Sequence, residues 1–149
     1  MQFLLKHKGV ASLLLAIAAY LYFNPADRFG FVTDNIIVYD RIPIAFLDLY
    51  VNPDGRRYFF GDLRKNSDFN ALCDSLSHLR PYIDGKPVTL LVGESFGSQA
   101  ILSLSGERRC TGLPHSVRMK QLPVKAAVRL YNEFRSKGKP VAIVLVTKD

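Results

Sequence analysis

Residues 88–92 read Val88-Thr89-Leu90-Leu91-Val92, a run without a charged side chain. A short uncharged run is typical of a strand buried in the middle of a sheet. The turn residues Asp84-Gly85-Lys86-Pro87 come directly before it. A second run, Val141 to Val146, gives the last strand of the chain. Together the two runs predict a small domain built on a β-sheet.

Two amphipathic helices are predicted around these strands. Residues 67–79 carry apolar side chains at helical spacing, Ser67 can cap the first turn, and Pro81 ends the helix. Pro123 opens the second helix at its first turn, and Gly138 ends it. Each helix has one apolar face to bury against the sheet.

A β-hairpin is predicted before the first helix. Residues 44–51 alternate in polarity, with Asp48 on the polar face, and 56–60 form the return strand. The turn between them is Asn52-Pro53-Asp54-Gly55. The order hairpin, helix, strand, irregular insertion over 93–122, helix, strand predicts an α/β (α+β-like) domain. We expect two layers over residues 44–149, with both helices on one face of the sheet.

The N-terminal segment carries no charge from Gly9 to Phe23, and Lys6 and Lys8 precede it. This pattern predicts a transmembrane anchor over residues 1–23, with residues 3–23 in contact with lipid. The positive-inside rule then gives a single-pass protein of the inner (cytoplasmic) membrane, with its N-terminus in the cytoplasm and its domain periplasmic. Residues 24–43 are a linker that contains a short strand at 36–39. The alternative is a cleaved signal peptide, with Ala16-Ile17-Ala18 as the small-residue site.

The charge and the cysteines restrict the classes of function. The formal net charge is +7, and the basic residues are scattered. Scattered charge of this kind favours a solvated surface, with attraction to an anionic lipid or polymer as an alternative, and no nucleic-acid motif is present. Cys73 and Cys110 are candidates for a disulfide, the alternative being a buried free thiol at Cys73. His78 and His115 are isolated, so we expect neither a metal site nor a cofactor.

The chain resembles the ExbD/TolR family from about residue 44 to 147. The similarity rests on the Asp54-Gly55 turn, the return strand Tyr58-Phe59-Phe60-Gly61, and the order of the later helices and strands. The resemblance implies one transmembrane helix, a small periplasmic α/β domain and a multi-helix membrane partner. Two features depart from the family. Residues 9–23 lack the family's transmembrane aspartate, and about 30 residues replace a short loop, so proton coupling by this chain is not expected.

One motif has catalytic form. Gly93-Glu94-Ser95-Phe96-Gly97 follows a predicted strand and resembles the nucleophile elbow of α/β-hydrolases. That resemblance implies Ser95 as the nucleophile, His115 as the base and Glu107 as the acid. The alternative is a glycine-rich turn in which Ser95 is an ordinary turn residue.

The sequence therefore favours a non-enzymatic function. We expect a membrane-anchored interaction or assembly module, a subunit of an envelope secretion, transport or energy-coupling complex. Its expected partners are other membrane or envelope proteins, with residues 93–122 as the binding surface, and self-association into a homo-oligomer is a further expectation. The alternative is a membrane-tethered serine hydrolase that uses Ser95.

Overall fold

A computed structural model of the protein describes residues 8–33, 36–94, 110 and 112–147. The helices and strands within these residues, in chain order, are α1 (Lys8–Phe23), β1 (Phe29–Val32), β2 (Ile36–Tyr39), β3 (Ile42–Ala45), β4 (Asp48–Val51), β5 (Arg57–Phe60), α2 (Asn66–Ser77), β6 (Tyr82–Ile83), β7 (Lys86–Pro87), β8 (Thr89–Glu94), β9 (Arg118–Pro123), α3 (Val124–Ser136) and β10 (Val141–Val146).

The main sheet has five strands in the order β5-β4-β10-β8-β9. Strand β10 lies at its centre, parallel to β8 and antiparallel to β4. Strand β9 pairs in parallel with β8 at one edge, and β5 pairs antiparallel with β4 at the other. Every residue of β10 is buried, and so are residues 90–93 of β8. The two uncharged runs of the sequence are therefore the centre of the sheet.

The two domain helices cover opposite faces of this sheet, so the prediction of both helices on one face is wrong. Helix α2 packs with Leu90, Val92 and Val144. Helix α3 packs with Leu91 and Ile143 on the other face. Successive side chains of a strand point to opposite faces, so a strand that is apolar at every position needs cover on both sides. The domain consequently has three layers rather than two.

A second sheet, β1-β2-β3, lies beside α3. It occupies much of the segment that the sequence suggested as a linker. Phe29, Tyr39 and Tyr131 form a buried aromatic cluster, with ring centroids 4.7–6.1 Å apart. The side chain of Asn132 on α3 accepts a hydrogen bond from the Phe29 N–H at 2.9 Å and donates one to the Phe29 carbonyl at 2.7 Å. These contacts attach the small sheet to α3.

The predicted strand over 44–51 is divided between the two sheets. Strand β3 ends at Ala45 and β4 begins at Asp48, because Phe46 adopts a left-handed φ of 56° that interrupts the extended backbone. The hairpin β4–β5 follows with the expected turn, in which Gly55 has a φ of 90° and its N–H donates to the Asn52 carbonyl at 3.0 Å. A glycine suits this left-handed position because it has no Cβ.

The predicted transmembrane anchor is wrong. Helix α1 has 16 residues, which at 1.5 Å per residue span about 24 Å, against about 30 Å for the hydrocarbon core of a bilayer. Within residues 8–33, 36–94, 110 and 112–147, no helix combines the length and apolar content needed to cross a membrane. Three further predictions depended on this anchor and are wrong with it. They are the single-pass topology, the inner-membrane localisation and the periplasmic placement of the domain.

A buried carboxylate connects three parts of the domain. Asp48 is 2% exposed and accepts hydrogen bonds from the Leu63 N–H at 2.7 Å, the Thr147 N–H at 2.8 Å and the Thr147 hydroxyl at 3.1 Å. It thereby joins the start of β4 to the end of β10 and to the segment after β5. Burial raises the pKa of Asp48 above its usual range, although the hydrogen bonds from Leu63 and Thr147 act to lower it.

We expect Asp48→Ala to lower the free energy of unfolding by about 2–4 kcal/mol, because it leaves the buried N–H groups of Leu63 and Thr147 without acceptors. Urea unfolding measures the change. Asp74→Ala, which removes an exposed carboxylate, is the control, with an expected change within about 0.5 kcal/mol. Equal effects of the two substitutions would contradict the structural role of Asp48.

Because the pKa of Asp48 is raised, the contribution of this carboxyl to stability depends on pH. Its folded-state pKa lies above its unfolded value, so its contribution to stability is complete at low pH. That contribution declines as the pH rises from about 4, the unfolded value, through the higher folded-state pKa. The free energy of unfolding of the wild type minus that of Asp48→Asn, measured with urea at several pH values in this range, should decline as the pH rises. A difference that grows with pH would contradict it.

Candidate functional site

Helix α1 is attached to the domain at its C-terminal end by Asn24. Asn24 is buried, and its N–H and its side-chain amide both donate to the Tyr20 carbonyl, at 3.0 and 2.9 Å. Its side-chain oxygen accepts from the Phe31 N–H of β1 at 3.0 Å. Gly30 is required beside it, since a Cβ there would lie 2.1 Å from that oxygen. The sequence placed Asn24 only at the start of the predicted linker.

A second hydrogen bond supports this attachment. The Tyr20 hydroxyl donates to the Arg41 carbonyl, in the turn between β2 and β3, at 2.9 Å. Because the two anchoring points lie on different parts of the small sheet, they fix the direction in which the end of α1 leaves the domain.

The rest of α1 is an apolar surface that nothing in the described chain covers. The consecutive residues Leu13, Leu14 and Leu15 are 60%, 60% and 71% exposed. Successive residues lie about 100° apart around a helix, so these three side chains point in three well-separated directions. The exposed large apolar residues of α1 are Val10, Leu13, Leu14, Leu15, Ile17, Tyr20, Leu21, Tyr22 and Phe23.

Full burial of such side chains contributes about 1.5–3 kcal/mol each, so covering α1 would be worth on the order of 10 kcal/mol. That is comparable to the whole stability of a typical domain. Large contiguous apolar patches on a protein surface mark sites of interaction. Helix α1 is therefore the principal candidate site.

A cleft of about 530 Å³ is a second surface feature, between the β4–β5 hairpin and the end of α2. The ring of Tyr58 stacks on that of Tyr50 at 5.4 Å, and burial, followed by the charges of Tyr58 and Asp54, raises the pKa of Tyr50. The nearby Ser75 hydroxyl donates to the Ala71 carbonyl at 3.0 Å, so the helix backbone engages it. The cleft offers a ring for stacking but no activated nucleophile among its described residues.

The predicted catalytic residues are not brought together by the described part of the chain. Ser95 and Glu107 lie outside the described residues, and His115 is exposed in the turn before β9. Strand β8 continues through Glu94, which pairs with Val146 and Pro123. The hydrolase hypothesis therefore stays a prediction.

The first glycine of the motif has a packing role. A Cβ at Gly93 would lie 2.5 Å from Leu145 Cδ2, 3.0 Å from Ala127 Cβ and 3.3 Å from Val124 Cα. The start of α3 thus approaches β8 so closely that only glycine fits between them. Packing accounts for this glycine without any catalytic role.

Cys73 and Cys110 form a disulfide. It joins α2 to the segment that leads into β9, across 37 residues of sequence. Gly112 adds a second close approach, since a Cβ there would lie 2.9 Å from Ser77 Cβ at the end of α2. Cys73, Cys110 and Leu113 pack against the core on the α2 face of the sheet. Among the residues with described positions, no three His, Cys, Asp or Glu side chains are grouped as metal ligands would be.

Comparison with known proteins yields a likeness of fold. No family model matches the chain, and no curated protein matches it. A solved structure titled MT938 is similar, with a TM-score of 0.52 and 17% sequence identity. The match covers 82% of this chain and 98% of that one. At this identity the likeness concerns the fold alone, and it does not bear on the ExbD/TolR resemblance.

We expect loss of the disulfide to lower the free energy of unfolding by about 3–4 kcal/mol, because the bond closes a 37-residue loop in the unfolded chain. Urea unfolding of the wild type with and without reductant measures this directly. The double variant Cys73→Ala, Cys110→Ala should match the reduced wild type and should not respond to reductant. A reduced wild type that unfolds at the same urea concentration as the oxidised protein would refute the estimate.

Proposed function

We propose that this protein is a non-enzymatic interaction module that inserts helix α1 into an apolar site of a partner protein. The observation that supports the proposal is the exposure of an uncharged helix around its whole circumference, from Gly9 to Phe23. The domain provides the fixed base from which this helix extends.

The distribution of apolar residues indicates how the partner binds. An amphipathic helix lies in a groove with one face covered, whereas a helix that is apolar all round is suited to the interior of a larger structure. Leu13, Leu15 and Ala16 point in different directions, and all three are exposed. The proposed partner site is therefore an apolar cavity between several helices, which encloses α1.

The attachment of α1 favours binding as a preformed element. Asn24 and Tyr20 hold the end of the helix through hydrogen bonds to the small sheet. A helix that is already formed and directed loses less conformational entropy on binding than a disordered segment does. The domain then sits where the helix enters the partner.

The ExbD/TolR resemblance suggests a secretion, transport or energy-coupling complex as the setting. This assignment stays a prediction, because it rests on the pattern of strands and turns alone. Enclosure of α1 by a partner is compatible with any of these settings.

Site-specific photocrosslinking in the native cell tests the proposal. A photoreactive amino acid replaces Leu13, Leu14 or Leu15, one at a time. Since these positions lie about 100° apart around the helix, a partner that encloses α1 should give one protein adduct of the same mass from all three. The control position is Tyr82, which is exposed on the β6–β7 hairpin and should give no such adduct.

A charge within α1 should dissociate the same complex. Leu14→Glu and Ala16→Glu place a carboxylate on different sides of the helix, and both should abolish the adduct, whereas Tyr82→Glu should not. An adduct from one side of the helix only would indicate that the partner binds α1 in a groove and does not enclose it. Absence of any protein adduct, or crosslinking to lipid alone, would refute the proposal.

A further inference from the structure

A basic cleft lies at the end of the main sheet where the parallel strands β8, β9 and β10 begin. Its volume is about 250 Å³. Strand β8 contributes Thr89, β9 contributes Arg118, and Pro140 comes just before β10. The residues that line the cleft are Lys86, Pro87, Thr89, Arg118, Phe134, Lys139 and Pro140. Three of them are cationic and none is a carboxylate.

The three cations come from three different elements. Lys86 lies on β7, Arg118 on β9, and Lys139 in the loop between α3 and β10. The backbone beneath them is connected by hydrogen bonds, from the Arg118 N–H to the Val88 carbonyl at 3.2 Å and from the Thr89 N–H to the Pro140 carbonyl at 3.2 Å. The pairing of the strand ends therefore brings the backbone of the three residues to one end of the sheet.

These cations lack an anionic partner within the described part of the protein. The ion pairs found there involve other residues, and the ammonium of Lys139 instead lies 5.3 Å from the centroid of the Phe134 ring. An adjoining cleft of about 170 Å³ shares Lys86 and Lys139 and includes the carboxylate of Asp84. Like charges that converge without compensation favour binding of an anion.

We propose that this cleft binds the phosphoryl group of an organic phosphate. A phosphate presents tetrahedral oxygens and up to two negative charges, so it can accept hydrogen bonds from three cations at once, whereas a planar carboxylate has a single charge. The guanidinium of Arg118 provides a two-pronged donor, and Lys86 and Lys139 provide point charges. Phe134, Pro87 and Pro140 form an apolar wall for the organic substituent.

Titration of the full chain with phenyl phosphate, followed by amide NMR shifts, tests this site. We expect saturable shifts at Lys86, Thr89, Arg118 and Lys139, with a dissociation constant in the millimolar range or tighter. Arg118→Gln should weaken binding about tenfold, because it removes a charge-assisted contact. The matched control is Arg129→Gln on α3, an exposed arginine outside the cleft, which should leave the affinity unchanged. Raised salt should weaken binding in both proteins.

Three further probes define the ligand. Inorganic phosphate should bind more weakly than phenyl phosphate if Phe134 and the prolines contact the substituent. Benzoate should bind more weakly still. Vesicles that contain phosphatidylglycerol distinguish a lipid headgroup from a soluble phosphate, since only the former would give Arg118-dependent sedimentation with the vesicles.

Several results would overturn the proposal. One is the absence of saturable shifts at millimolar phenyl phosphate. Equal weakening by Arg118→Gln and Arg129→Gln would mean that diffuse surface charge is responsible. Benzoate binding as tightly as phenyl phosphate would exclude phosphoryl specificity, and Lys139→Gln with unchanged affinity would exclude the cleft.

Discussion

The architecture depends on the need to cover β10 on both faces. All six of its residues are buried, and five of them are larger than alanine, so neither face of this strand can be left in water. One helix can cover only one face. Helix α2 therefore packs on one side and α3 on the other, and β8 and β4 occupy the two edges of β10. The buried carboxylate of Asp48 is accommodated because three donors reach it near the end of β10.

The surface features proposed to bind partners follow from what this core leaves uncovered. Helix α1 has the apolar character of a core element, yet its residues 9–23 are exposed, and within the described residues Asn24 and Tyr20 attach its C-terminal end to the small sheet. The basic cleft forms at the strand ends, where backbone pairing brings Arg118 and Lys139 to the same edge. Helix α3 connects the two regions, since Asn132 holds the small sheet and Phe134 lines the cleft.

The candidate site was predictable from the sequence in part. The uncharged run from Gly9 to Phe23 pointed to an apolar helix because it is long and rich in leucine and alanine, which favour helix. Its end at Phe23 depends on Asn24, whose side-chain oxygen accepts a hydrogen bond from the Phe31 N–H of β1. The basic cleft could not be foreseen, since Lys86, Arg118 and Lys139 are far apart in sequence and meet only through parallel pairing.

Neighbouring residues specify several of the local elements, although strand β9 begins within 93–122, which the sequence predicted to be irregular. The runs 88–92 and 141–146, the turn at Asn52 to Gly55, and the helical spacing in α2 and α3 depend on neighbouring residues, so short-range chemistry specifies them. Contacts in the folded domain determined which face each helix covers, the break at Phe46 and whether Cys73 and Cys110 are bonded. These depend on contacts between residues distant in sequence, whose free energy becomes favourable only once the sheet has assembled around β10.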